Sequence, residues 1–185
     1  MTLEQLLKEC KAQSITAQKY LYDRYAVAMF LLCRRYVRSD EVAEEVMMNG
    51  FLKCFQAIPQ FRYVSEGATV AWIKKIMISQ CLMHLRQHSF LQVALDDAPE
   101  IAVEEEVLAH LSAEEIFKLI TQLPVGYRTV FNLYAIEKYS HKEISEQLGI
   151  SEGTSRSQLS KAKALLQQLL IKTNSDYAVR RTEAR

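Results

Sequence analysis

The sequence predicts an all-α protein: two small helical domains joined by an acidic linker, with a helix-turn-helix near the C-terminal end. Three observations lead there. Only five glycines and three prolines punctuate the 185 residues. Apolar residues recur at three- and four-residue steps in segment after segment, and the two-residue alternation of strands is hard to find. Serines 39, 112, 140 and 151 stand where such segments begin, as helix N-caps do.

Taken in order, Leu3 to Cys10 forms a short helix. A longer one spans about Thr16 to Arg38, with Leu21, Tyr25, Ala28, Leu32 and Tyr36 as its inward stripe. Ser39 and Asp40 turn the chain and cap a third helix from about Glu41 to Ile58, halted by Pro59. Val42, Val46, Phe51 and Phe55 are its expected core. Met47 and Met48 are adjacent, so one of them must lie near the surface. Gln60 to Val70 reads as a loop with two aromatic residues. A fourth helix follows from about Thr69 to His88, with Trp72, Ile76 and Leu82 inward. Residues 93–111 are an acidic connector. Ser112, with Glu115 three residues on, begins a helix whose apolar face is Ile116, Leu119, Ile120 and Leu123. Pro124 ends it, and Tyr127 to Tyr134 is the next helix.

The segment Ser140 to Leu170 is the most informative. Glu143 stands where its carboxylate can reach back to the Ser140 amide. Ile144 and Leu148 share one face, and Gly149 supplies the left-handed residue that ends many helices. Ile150 is the expected plug of the turn. Ser151 caps a second helix with Leu159, Ala162, Leu166 and Leu169 inward. Its other side carries Glu152, Arg156, Ser157, Ser160, Lys161 and Lys163. A helix with such a face can lie in a major groove, its early residues reading base edges and its cations meeting phosphates. A helical hairpin with a solvated basic face fits the same pattern. Residues 173–185 lack periodicity and are expected to fray.

Charge is unevenly spread behind a formal net of +1. Leu95 to Glu115 holds eight acidic residues and no Lys or Arg. Lys138 to Lys172 holds six basic against three acidic residues, and Gln60 to Phe90 four against one. Two basic segments about an acidic spacer suit two nucleic-acid-binding parts. Phe61, Arg62 and Tyr63 set rings beside a cation, the combination that single-stranded nucleic acid requires. No apolar run reaches the roughly 20 residues of a bilayer span, and no signal-peptide pattern opens the chain, so a cytoplasmic protein is expected. Cysteines 10, 33, 54 and 81 form no CxxC and read as buried thiols. Cys81, His84 and His88 share one side of a helix, but no fourth ligand stands near, so no metal and no cofactor is expected. No nucleophile–base set or phosphate loop points to an enzyme or to a small-molecule substrate.

The order of these parts resembles an extracytoplasmic-function (ECF) sigma factor, the promoter-recognition subunit of bacterial RNA polymerase, over nearly the whole length. The resemblance is strongest over 123–166, LPVGYRTVFNLYAIEKYSHKEISEQLGISEGTSRSQLSKAKALL. It is also clear at LYDRYA (21–26), VAEEVMMNGFLKCF (42–55) and AWIKKIMISQCLMHLR (71–86). Several segments are phrased like those of Bacteroidetes members. The resemblance implies a region 2-like domain over 1–92, the acidic linker over 93–111, a region 4-like domain over 112–172 and a tail over 173–185. It implies that Arg156, Ser157, Ser160, Lys161 and Lys163 meet the −35 duplex. It puts the loop that captures an unstacked −10 base at Phe61 to Thr69, with Phe61, Arg62, Tyr63, Ser79 and Arg86 as the −10 residues. It assigns polymerase binding to Glu44, Glu45, Met48, Asn49 and Lys53. Core polymerase and promoter DNA are the implied partners. An anti-sigma protein is a further one, able to hold the chain at the inner membrane.

This chain departs from the family pattern at four places. Met48 stands where glutamine is usual and Asn49 where an acid is usual. Ser79 and Met83 replace an asparagine and an aspartate. Methionine offers no strong hydrogen bond in place of glutamine's donor and acceptor. Two readings therefore stand: a working sigma factor, or a sigma-derived regulator that binds DNA or protein without supporting full initiation.

Overall fold

The computed structural model describes residues 1–87 and 113–183, with the backbone alone for 113 and 173–183. Among the described residues there are helices and no strand. The chain divides into two compact units, Met1–His88 and Ser89–Arg185. The acidic connector, the Ser112 cap, His88 and residues 184–185 lie outside the described residues.

The first unit is built from α1 (Leu3–Lys11), α2 (Ile15–Val37), α3 (Asp40–Ala57), a 3-10 turn at Ile58–Gln60, and α4 (Glu66–Gln87). Short polar side chains start the first three. Thr2 and Gln5 form a reciprocal capping box, Ser14 caps α2, and Ser39 caps α3. An Arg34–Asp40 ion pair spans the turn between α2 and α3. Helix α3 packs against both α2 and α4.

Which residue of each neighbouring pair turns inward was not readable from periodicity alone. In α2 the buried series includes Leu21, Tyr25, Met29, Leu32 and Tyr36, while Ala28 is exposed. In α3, Phe51, Val46 and Met47 are buried, Val42 and Phe55 are half-buried, and Met48 is exposed. In α4 the core comprises Ile73, Met77, Ile78, Cys81, Leu82 and Leu85, and Trp72 and Ile76 are only half-buried. The register follows from α3. Gly50 has no side chain, and Met77 occupies that space: a Cβ at Gly50 would stand 2.2 Å from its sulfur. Helix α4 also begins earlier than expected. The Ser65 hydroxyl accepts from the Ala68 amide at 3.1 Å, so Glu66 to Ala68 are helical and the loop shrinks to 61–65.

All four cysteines are buried. Burial pushes the Cys10 thiol up to about 11 and Cys54 up to about 12. Burial, then the neighbouring Cys33 thiol, raises Cys81 as well. Thiols so placed are packing groups rather than nucleophiles.

The second unit contains α5 (Ala113–Gln122), α6 (Val125–Phe131) continued by one π turn at Asn132–Ile136, α7 (His141–Leu148) and α8 (Glu152–Glu183). The buried Arg128 donates to the Leu123 carbonyl at 2.9 Å and so satisfies the end of α5. Ser140 and Glu143 form the expected capping box, and Gly149 ends α7 at φ +68°. Ser151 accepts from the Thr154 amide at 2.9 Å and starts α8. Ile150 is half-buried rather than enclosed, and Leu170, not Leu169, completes the buried series Leu159, Ala162, Leu166. The α8 backbone continues to Glu183 instead of ending near Lys172, since no Gly or Pro interrupts it.

One polar contact fixes the early part of α8. Ser155 is fully buried, and its hydroxyl shares a 2.9 Å hydrogen bond with His141 Nδ1 at the start of α7. Tyr134 stacks on His141, its ring 4.4 Å from the imidazole and 21° from parallel. Burial, and then the Arg156 charge, hold the His141 pKa below its usual 6.5, against an opposing pull from Glu152.

Two outcomes follow from this packing. Gly50→Ala forces Met77 to shift inside a closed core, an overpacking cost of about 1–3 kcal/mol against roughly 1 kcal/mol of helix propensity gained. Urea unfolding is expected to show a net loss near 1 kcal/mol, and a gain would contradict the register. His141 binds its proton less tightly when folded than unfolded. Stability is therefore expected to fall as pH drops below about 6.5. His141→Gln should flatten that slope in thermal melts between pH 7.5 and 5, and an unchanged slope would assign it to other groups.

Candidate functional site

Three surfaces gather the residues singled out by sequence. The first is the outer side of α3. Glu44, Glu45, Met48, Asn49 and Lys53 are all exposed, at spacings that put them on one strip of the helix. Met48 is 48% exposed, and Leu52, which sequence reasoning missed, is 54% exposed and four residues further along. Its signal was legible: an apolar residue off the core stripe, one turn beyond another. The strip combines carboxylates, an amide, a cation and two uncovered apolar side chains.

The second surface is the 61–65 segment with the outer face of α4. Phe61 stacks on Trp72, ring centres 4.3 Å apart and planes 25° apart. Trp72 thus braces the loop instead of filling the core, and one face of Phe61 is taken. Arg62 is exposed and Tyr63 half-buried. The Arg24 guanidinium meets Glu66 at 2.5 Å and ties the α4 N-terminus to α2. Ser79, Met83 and Arg86 are exposed at i, i+4 and i+7, so two of the departures from the family pattern lie on the stripe that holds Arg86. Lys53, at the far end of the α3 strip, shares a shallow cleft with Ser79. Cys81 faces inward against Cys33, away from this stripe.

The third surface is the outer face of α8. Arg156 is exposed and pairs with Glu152 at 2.8 Å. An exposed i,i+4 pair is worth little, so Arg156 is readily available to a phosphate. Ser157, Ser160, Lys161 and Lys163 are half-exposed. The inward side includes Leu159, Ala162 and Leu166, with the polar Ser155 and Gln158 also buried. The His141–Ser155 contact was not legible in the sequence, because its partners stand 14 residues apart on two helices. Among the described residues, no group of His, Cys, Asp and Glu is arranged to hold a metal ion. No helix among them is long and apolar enough to cross a membrane.

Comparison with known proteins matches both units. The family model for Sigma-70 region 2 matches residues 21–90, and that for Sigma-70, region 4 matches residues 113–166. The ECF RNA polymerase sigma factor SigM of Mycobacterium tuberculosis is 26% identical over 178 residues, covering 94% of this chain and 89% of its own. SigW of Bacillus subtilis, another ECF sigma factor, is 24% identical and covers 92% and 97%. A solved structure of CnrH in complex with the cytosolic domain of CnrY aligns with 90% of this chain and 96% of its own, at 20% identity and a TM-score of 0.47. The region 2 match spans α2 to α4 with the first two surfaces, and the region 4 match spans the helix-turn-helix with the third. With both matches in one chain and relatives aligned along almost its full length, the chain belongs to the ECF sigma factors of RNA polymerase.

Proposed function

We propose that the chain is an ECF-type sigma factor that binds core RNA polymerase and directs promoter recognition and transcription initiation in the cytoplasm. The observation that carries this reading is the pairing, in one chain, of a region 2 match with a region 4 match that frames a capped helix-turn-helix. The protein works by binding alone and catalyses no reaction.

Each surface then has a part. The α3 strip, Glu44, Glu45, Met48, Asn49 and Lys53, docks on polymerase. Met48 and Leu52 add apolar burial where the family pattern uses hydrogen bonds. Arg156, Ser157, Ser160, Lys161 and Lys163 face the −35 duplex, with hydroxyls short enough for base edges and cations for phosphates. Arg62, Tyr63, Ser79 and Arg86, with Phe61 held by Trp72, face the melted −10 strand. An anti-sigma protein that covers the exposed α3 strip would block polymerase docking and keep the chain at the membrane.

The second reading, a regulator that no longer supports initiation, is favoured by Met48, Asn49, Ser79 and Met83, all of which are exposed. Core polymerase binding separates the two. The natural chain is expected to bind. Met48→Gln/Asn49→Glu should tighten binding by restoring two hydrogen bonds at about 0.5–1.5 kcal/mol each, roughly 5- to 150-fold in all. Absence of binding by the natural chain, with binding restored in the double variant, would favour the regulator. On duplex DNA, Arg156→Ala should weaken binding and reduce the slope of log affinity against log salt by about 1 if it meets a phosphate. Selective loss at one base position would instead mark base reading, and no change would remove Arg156 from the interface.

A further inference from the structure

Helix α1 lies ahead of the residues matched by the region 2 model, which begins at residue 21. It nevertheless packs against the 3-10 turn at Ile58–Gln60. Between α1 and the segment after that turn is a cleft of about 290 Å³. Lys8 and Lys11 stand on one wall, and Arg62 and Tyr63 on the other. The one carboxylate in the lining is Glu4, 3.0 Å from the Lys8 ammonium in an exposed i,i+4 pair. Such a pair contributes little and yields easily to a competing anion. Three cations therefore face one carboxylate, beside two aromatic rings, Phe61 and Tyr63.

A second cleft, of about 360 Å³, lies between the end of α3 and the outer face of α4, with Lys53, Gln56, Ile76 and Ser79 in its walls. Gln60 lines both clefts. The two clefts therefore adjoin at the 3-10 turn, one reaching α1 and the other the stripe that begins at Ser79. A compact anion would need donors converging on one point. Here three cations share one cleft with two aromatic rings, and a fourth, Lys53, lines the next, a combination that suits a polymer of phosphates and bases. The rings favour unstacked bases over a duplex, which would present only its grooves.

We infer that α1 is part of the seat for single-stranded DNA, with Lys8 and Lys11 holding backbone phosphates next to the nucleotide at Arg62 and Tyr63. This rests on the proposed −10 role of the 61–63 segment and extends it to a helix outside the matched region. The cleft gives sequence-independent grip, since ammonium groups on phosphates read no base.

The test measures binding of the full-length chain to fluorescent dT20 by anisotropy, from 50 to 200 mM KCl. Lys8→Ala/Lys11→Ala is compared with Arg62→Ala and with Lys19→Ala/Lys118→Ala, which removes the same charge from residues that line neither cleft. The α1 double variant is expected to bind about 5- to 30-fold more weakly, with the log–log salt slope reduced by about 1.4, or 0.7 per phosphate on a single strand. Unchanged affinity and slope, while Arg62→Ala still weakens binding, would overturn the α1 seat and leave the −10 reading in place. No loss in either variant would overturn both. An equal loss in the Lys19/Lys118 control would reduce the effect to net charge and overturn the inference. Displacement of dT20 by inorganic tripolyphosphate at matched phosphate concentration would also overturn it, in favour of a compact anion.

Discussion

Gly50 lets α3 and α4 approach closely enough for the Met77 side chain to fill the space that a Cβ would take. That approach sets which side of each helix is buried. With Met77 inward, Ile73, Cys81 and Leu85 follow at steps of four, and Ser79, Met83 and Arg86 are left on the outer face. With Gly50 inward, Val46, Met47 and Cys54 are buried beside it, and Glu44, Met48, Asn49 and Lys53 turn outward. Both candidate faces of the first unit are therefore the reverse sides of one tight helix crossing. Close packing of this kind leaves little freedom for rotation of either helix, so the outward residues keep fixed relative positions.

The second unit reaches the same end by local means. The Ser140–Glu143 box, the left-handed Gly149 and the Ser151 cap each satisfy backbone groups that a helix end leaves open. They set where α7 stops and α8 starts, and hence which residues occupy the first turns of α8. The buried Ser155 then joins α8 to His141 and, through ring stacking, to Tyr134 in the preceding π turn. Arg156 follows Ser155 directly. The cation proposed to meet a DNA phosphate is thus adjacent to a fully buried residue hydrogen-bonded to the preceding helix.

The departures from the family pattern take a physical meaning from this arrangement. Met48 and Met83 are both exposed, 48% and 43%. An exposed methionine costs hydrophobic free energy in the unbound chain and returns it when covered. Replacing a glutamine or aspartate by methionine therefore exchanges directional hydrogen bonding for adaptable apolar contact. The swap weakens a partner built for the polar group and suits one with an apolar patch opposite. Ser79 and Asn49 keep hydrogen-bonding capacity but lose reach or charge.

Much of this protein was legible in its sequence because the relevant forces act over a few residues. Helix starts at Ser39, Ser140 and Ser151, the stop at Gly149, and the split of α8 into an apolar and a basic side depend on caps and on a repeat of 3.6 residues. The choice between Ala28 and Met29, or between Trp72 and Ile73, was not legible, since neighbours 100° apart on a helix fit one periodic stripe almost equally well. What decides them is the shape offered by another helix: a gap at Gly50, a ring at Phe61. The His141–Ser155 bond joins residues 14 apart, and the α1 cleft joins Lys8 and Lys11 to a segment some fifty residues later. Local physics wrote the helices and their caps into the sequence. The faces they present, and the cleft beside α1, exist only once distant segments pack, because burial is a property of neighbours in space.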